Sequence, residues 1–166
     1  MISFYFQRLV EIFPFFLKGL WMTVIVAGSG LVFGTICGFL LGILRAGKNK
    51  VITRLIGVYV AVIRGTPFVV QIFIVFFILP EWGIQLDALP AAILALSILG
   101  TAFICEIVAG GVKAVAAGQW EAAASSGLTR IQQLRLVIIP QAMQTILPPL
   151  VGPNDPQVDA NFWPIS

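Results

Sequence analysis

Long apolar runs alternate with short polar loops along this chain, and the runs approach the length of a membrane crossing. From Gly19 to Leu44 no charged residue occurs. At about 1.5 Å per residue that run makes roughly 39 Å of helix, enough to cross a bilayer with some tilt. Gly30, Gly34, Gly38 and Gly42 recur within it at four-residue spacing. They share one helix face and predict the close approach of a neighbouring backbone. A second run, Pro67 to Leu79, is apolar apart from Gln71 and stops at Pro80-Glu81-Trp82. As helix it measures only about 20 Å, a short span that its flanks must extend or its neighbours shield. The third run, Ala88 to Cys105, is expected to be softened at Gly100-Thr101 and to end at Glu106. A fourth begins at Ile138 and is cut short, because the polar sequence from Pro153 to Ala160 cannot cross a bilayer.

Residues 51–63 permit two readings. They begin a long span with Arg64 buried inside it, or they form an interfacial helix and the span starts at Thr66. The second is preferred, since a charge near the bilayer centre costs at least several kcal/mol. Thr66 followed by Pro67 is also a good helix start, a capping residue and then Pro at the first helical position. Residues 1–18 carry Arg8, Glu11 and Lys18 among Phe4, Tyr5, Phe6, Phe13, Phe15 and Phe16. This pattern predicts an interfacial amphipathic segment and not a cleaved signal peptide. Arg45, Lys48, Lys50 and Arg54 follow the first span at once and mark the cytoplasmic side, which puts the N-terminus outside. The loop holding Glu81 and Asp87 lacks Lys and Arg and fits the outer side; the stretch with Lys113, Arg130 and Arg135 returns inside.

Composition agrees with a membrane solvent. The chain is 59% hydrophobic and 10% charged, without His, and its mean hydropathy is +1.01. That excludes an ordinary soluble domain and predicts an all-α, polytopic integral membrane bundle. The 166 residues have room for four or five spans and no separate soluble domain. The net charge of +3 bears on topology and not on nucleic acid, since no aromatic-rich basic surface accompanies it. Cys37 and Cys105 sit in apolar runs and read as small hydrophobes, with no neighbouring metal ligands. The sequence has no phosphate-binding loop and no Ser with a base partner at a recognisable spacing. No enzyme chemistry, cofactor or metal site is expected.

The most informative stretch runs from Gly118 to Pro140. It reads as two short helices meeting at a bend. Gly127 supplies the left-handed conformation that ends the first. Thr129 caps the second, with Gln132 at the N3 position of a capping box. Glu121 is placed in the first turn of the first helix, where its charge suits the dipole. Ala122, Ala123 and Ala124 give that helix a thin face able to lie in a groove on another protein.

Glu121-Ala122-Ala123, Gly127 and Ile139-Pro140 resemble the EAA loop of membrane permease subunits in type I ABC importers. Arg64-Gly65-Thr66-Pro67, Gly118-Gln119-Trp120 and Leu147-Pro148-Pro149-Leu150 resemble, more narrowly, the subgroup that imports polar amino acids. The likeness covers roughly residues 15–151. It implies a permease subunit in the inner membrane of a bacterium, pairing with itself or a homologous subunit. It also implies separate ATPase subunits that bind the ATP, an extracytoplasmic binding protein that selects the substrate, and alternating access. On this resemblance Gly118, Glu121, Ala122, Ala123, Gly127 and Pro140 form the ATPase-coupling elbow: Glu121 anchors by charge, the alanines fit the groove and Gly127 sets the bend.

Arg64, Thr66, Gln71 and Glu106 are the candidate substrate-pathway residues. For Arg64 and Thr66 the alternatives are an interfacial anchor and a cap. For Glu106 the alternatives are a substrate ammonium and a basic residue on a neighbouring helix. Two positions depart from the subgroup, which usually has Arg where Ala109 stands and Pro where Ala116 stands. The domain division expected is 1–18 interfacial, 19–152 transmembrane and 153–166 an atypical tail. Relatives continue into a fifth span, so the tail reads as a frameshift, a premature stop or a truncated gene model, with a genuine short tail as the alternative, and a non-functional fragment is one rival. The other rival, a secondary transporter or channel, would carry paired charges inside its spans, and none is visible in the sequence.

Overall fold

The computed structural model describes residues 2–151; the polar tail expected over 153–166 lies outside them. Among the described residues all regular structure is helical, as expected. Helix α1 (Ile2–Arg45) is one rod of 44 residues with Pro14 inside it. The segment before Gly19 is therefore not a separate helix.

The bundle is organised by the seam between α1 and α5 (Ala88–Ala114). A Cβ on Gly30 would strike Leu96, one on Gly38 Ile104 and one on Gly42 Val108, while Gly34 lies against the backbone of Gly100. Both partner series climb by four residues together, so α1 and α5 run parallel. The glycines lay on one face as their spacing requires, and the absent side chains let two backbones touch. Gly100, expected to soften α5, instead belongs to this seam. Packing overrides its poor helix propensity, and α5 continues unbroken for 27 residues. Glu106 is thus about two turns inside α5 and not at its end.

Two parallel helices require the chain between them to return. It does so through α2 (Lys50–Gly65) and the rod Phe68–Glu81, which meet at 106°. Asn49 caps α2 by accepting from the backbone N–H groups of Val51 and Ile52. Ile56 and Val60 of α2 pack on Ala102 and Cys105 of α5, and the Tyr59 hydroxyl donates to the Ile98 carbonyl at 2.8 Å. The break falls at Thr66-Pro67, as expected, but by another route. Thr66 ends α2 and its hydroxyl donates back to the Val62 carbonyl, while Pro67, with no side-chain cap, precedes the next helix.

The rod Phe68–Glu81 comprises α3 (Phe68–Phe73), a π-helical stretch (Ile74–Ile78) and α4 (Leu79–Glu81). After α5 come α6 (Ala117–Ser125), α7 (Arg130–Gln132), a second π stretch (Gln133–Ile138) and α8 (Ile139–Val151). Each π stretch ends two residues before a proline, Pro80 or Pro140. In each, the residue preceding the proline donates five residues back, Leu79 to Ile74 and Ile139 to Leu134. A proline ring clashes with the carbonyl four residues earlier, and the widened turn makes room for it. The fourth apolar stretch is therefore a continuous helix over 130–151, starting well before Ile138. Ile138, Ala142 and Ile146 close the main core against Ile104, Val108 and Val112. By length and composition two helices can cross a membrane, or three with the bent pair counted as one span.

Candidate functional site

The elbow is built from α6, α7 and the loop between them. Gly127 has φ +75°. Its N–H donates to the Ala124 carbonyl at 3.0 Å, and the Leu128 N–H reaches the Ala123 carbonyl at 3.3 Å. These are the two bonds of a Schellman motif, in which glycine is the residue that adopts the left-handed turn without a Cβ penalty. Gln132 closes its half of the capping box by accepting from the Thr129 N–H at 2.8 Å. The Thr129 hydroxyl donates to the same oxygen at 2.9 Å.

Three features of the elbow differ from expectation. Helix α6 begins at Ala117, so Glu121 is its fifth residue and lies beyond the first turn, where the dipole no longer favours it strongly. Ala123 is 5% exposed and packs into the chain itself, whereas Ala122 and Ala124 face outward. Ala122 and Ala124, but not Ala123, are therefore accessible from outside the chain. A Cβ at Gly118 would meet nothing within 4 Å, so that glycine answers no internal steric need.

Contacts the sequence did not reveal hold α6 in place. The Arg130 guanidinium lies 4.8 Å over the Trp120 ring. Gln141 of α8 donates to Gln119 of α6 at 3.0 Å. Gln133, almost fully buried, donates to the Leu128 carbonyl at 2.7 Å and pins the loop after Gly127. Their partners are set by tertiary packing; only a glutamine amid an apolar helix could have flagged Gln133.

The second cluster joins α1, α2 and α5. Glu106 accepts from Arg45 at 2.6 Å and lies 3.2 Å from Arg64, both through the same oxygen. Arg64 also sits 5.2 Å over the Phe103 ring. The spans thus do hold a charge cluster, formed by residues 61 and 42 positions apart and therefore invisible to local pattern. Glu106 thus pairs with basic residues of two neighbouring helices. Arg64, its side chain 41% exposed, and Arg45, 18% exposed, both point to the same carboxylate. Gln71 is buried and donates to the Ile63 and Thr66 carbonyls, at 2.7 and 3.0 Å. It thereby latches the α2–α3 bend, and its Oε1 has no partner among the described residues. Thr66, Gln71, Arg64 and Glu106 each make at least one internal polar contact. A cleft of about 520 Å³ beside Tyr59, Ser97 and Thr101 is walled mainly by apolar groups, and the Tyr59 and Ser97 hydroxyls are tied back to carbonyls.

This arrangement, a glycine-bent elbow beneath a bundle of apolar helices, has known counterparts. Residues 30–152 match the family described as the binding-protein-dependent transport system inner membrane component. The chain belongs to that family. It is 40% identical over 142 residues to the probable glutamine ABC transporter permease protein of Bacillus subtilis (strain 168), covering 86% of this chain and 65% of the relative. The L-cystine transport system permease protein of the same organism is 35% identical, over 82% of this chain and 58% of its own length. A crystal structure of an amino acid ABC transporter with histidines superposes with a TM-score of 0.74 at 36% identity, covering 87% of this chain and 68% of that one. The chain thus spans just under two thirds of the first curated relatives it matches. Family and helices together make it a multi-pass inner-membrane component, of a family whose members here are transport permeases and not enzymes.

Proposed function

We propose that this chain acts as the membrane permease subunit of an ATP-driven importer of polar amino acids. The observation that carries the proposal is the outward face of α6, with Glu121 and Ala122 exposed on a helix that Gly127 ends and Pro140 follows at the family's spacing. One ABC ATPase subunit docks there and binds the ATP, a second docking on the other permease subunit, so this chain needs no cofactor of its own. A second permease subunit, the same or homologous, completes the pathway, and an extracytoplasmic binding protein delivers the amino acid. The parallel α1 and α5 put Arg45 and Lys48 at the same end of the bundle as Lys113 and Arg130. By the positive-inside rule that end is cytoplasmic and the N-terminus is outside.

Arg45, Arg64 and Glu106 hold α2 onto α1 and α5, and Thr66 and Gln71 hold the bend. Selection of cargo then falls mainly to the binding protein. The cycle is alternating access: closure of the ATPases draws the two elbows together and opens the spans outward, and hydrolysis resets them. The test is ATP-dependent uptake of labelled glutamine, cystine or arginine by vesicles holding this chain, its ATPase and its binding protein. Uptake that needs the ATPase and is lost in Glu121→Lys, together with ATPase co-purification, is the expected result. Uptake without the ATPase would assign the chain to the secondary transporters.

A further inference from the structure

A cleft of about 600 Å³ opens at the base of the elbow, behind the residues Trp120, Glu121 and Arg130 already described. Its walls are apolar, with Ile43 from the last turns of α1, Val112 from α5, and Trp120 and Leu134 from the elbow. Its charges come from different elements. Lys48 lies in the α1–α2 connection, Lys113 in the last turn of α5, and Arg130 opens α7; Glu121 is the one carboxylate lining the cleft. Three cations against one anion leave a formal charge of +2. Among the described residues neither Lys48 nor Lys113 forms an ion pair.

An apolar slot edged by an excess of cations, where spanning helices end, complements a molecule with a phosphodiester at one end and hydrocarbon at the other. We propose that the cleft seats an anionic phospholipid of the adjoining leaflet, its headgroup between Lys48, Lys113 and Arg130 and its upper acyl chain on Trp120 and Val112. The elbow then rests partly on lipid, and the charge of the membrane bears on its position. Free phosphate would satisfy the cations but leave the apolar walls bare, and a zwitterionic lipid would bring its own cation against them. The inference rests on the reading that this end of the bundle lies at the cytoplasmic membrane surface.

Trp120 is a built-in reporter. The full chain, with Trp21, Trp82 and Trp163 replaced by Phe, is reconstituted in phosphatidylcholine vesicles with increasing brominated phosphatidylglycerol. Bromine should quench Trp120 strongly, and far more than brominated phosphatidylcholine does at equal content. Lys48→Gln and Lys113→Gln should each raise the lipid fraction for half-quenching roughly fivefold, while Lys113→Arg restores it. Arg54→Gln, which removes a cation of the same end outside the cleft, should leave quenching unchanged. Equal quenching by both brominated lipids overturns the proposal, as does an equal effect of Arg54→Gln. Relief of quenching by millimolar inorganic phosphate, or by the ATPase subunit, assigns the cleft to those occupants instead. ATPase co-purification is read on the same preparation. Lost quenching with intact ATPase binding refutes the lipid site alone, and the reverse refutes the coupling role alone.

Discussion

The α1/α5 seam and the α6 elbow are both glycine-dependent, but they use glycine for opposite ends. Along the seam four glycines remove side chains so that two straight helices touch over about 18 Å of axis. In the elbow a single glycine, Gly127, supplies a backbone angle, and the space around it is open. The seam is held by many small contacts that cannot be released singly. The elbow is held by a few directional ones: a Schellman turn, half a capping box, a cation over an indole and two glutamines. The difference separates a frame packed along its length from a part attached to it at a few points.

Substitutions can sharpen that contrast. Gly38→Leu is expected to have the largest effect, about 3 kcal/mol or more of lost stability, because Ile104 and the Thr101 carbonyl already occupy the space. Denaturant or thermal unfolding in detergent would register it, with Gly28→Ala, which meets nothing within 4 Å, as the counterpart that loses no stability. Gly127→Ala should cost about 1–2 kcal/mol and act locally. Hydrogen exchange should quicken at the Leu128 amide while the α1 and α5 amides keep their protection; a global loss would show that elbow and frame are one unit.

Arg45→Gln should cost about 1 kcal/mol, at the low end for a hydrogen bond to a charged group because the Glu106 side chain is 41% exposed. Arg64→Gln should cost less, its contact being longer and more exposed; the reverse order in unfolding would contradict the assignment of Arg45 as the principal partner. Gln132→Ala should be smallest, about 0.5 kcal/mol, visible as faster exchange at the exposed start of α7.

Where information is periodic or local it could be read from the chain. The glycine spacing predicted the seam, Gly127 and the Thr129/Gln132 pair predicted the elbow, and Thr66-Pro67 predicted a helix boundary, though not the bend made there. Gly100 misled because a glycine that breaks a solvated helix stabilises one pressed against another backbone. Glu121 falls one residue beyond the first turn because α6 starts at Ala117 without a side-chain cap to announce it. Ala123 and Ala122 are chemically alike, and only the fold decides which faces outward. The Arg45–Glu106–Arg64 cluster joins three helices, so no window along the sequence contains it. The π turns had a signal, Pro80 and Pro140 inside apolar helices, that was read as a stop in one case and a family mark in the other.

The claim on which the account turns is that the outward face of α6 receives the ATPase. With Cys37→Ser and Cys105→Ala removing the native thiols, single cysteines at Ala122, Ala123 and Ala124 can be cross-linked to the co-purified ATPase by a short bifunctional reagent. Cross-links at Ala122 and Ala124 that change with ATP, and none at buried Ala123, are the predicted result. A cross-link at Ala123 alone, or at none of the three while the subunits remain bound, would contradict it.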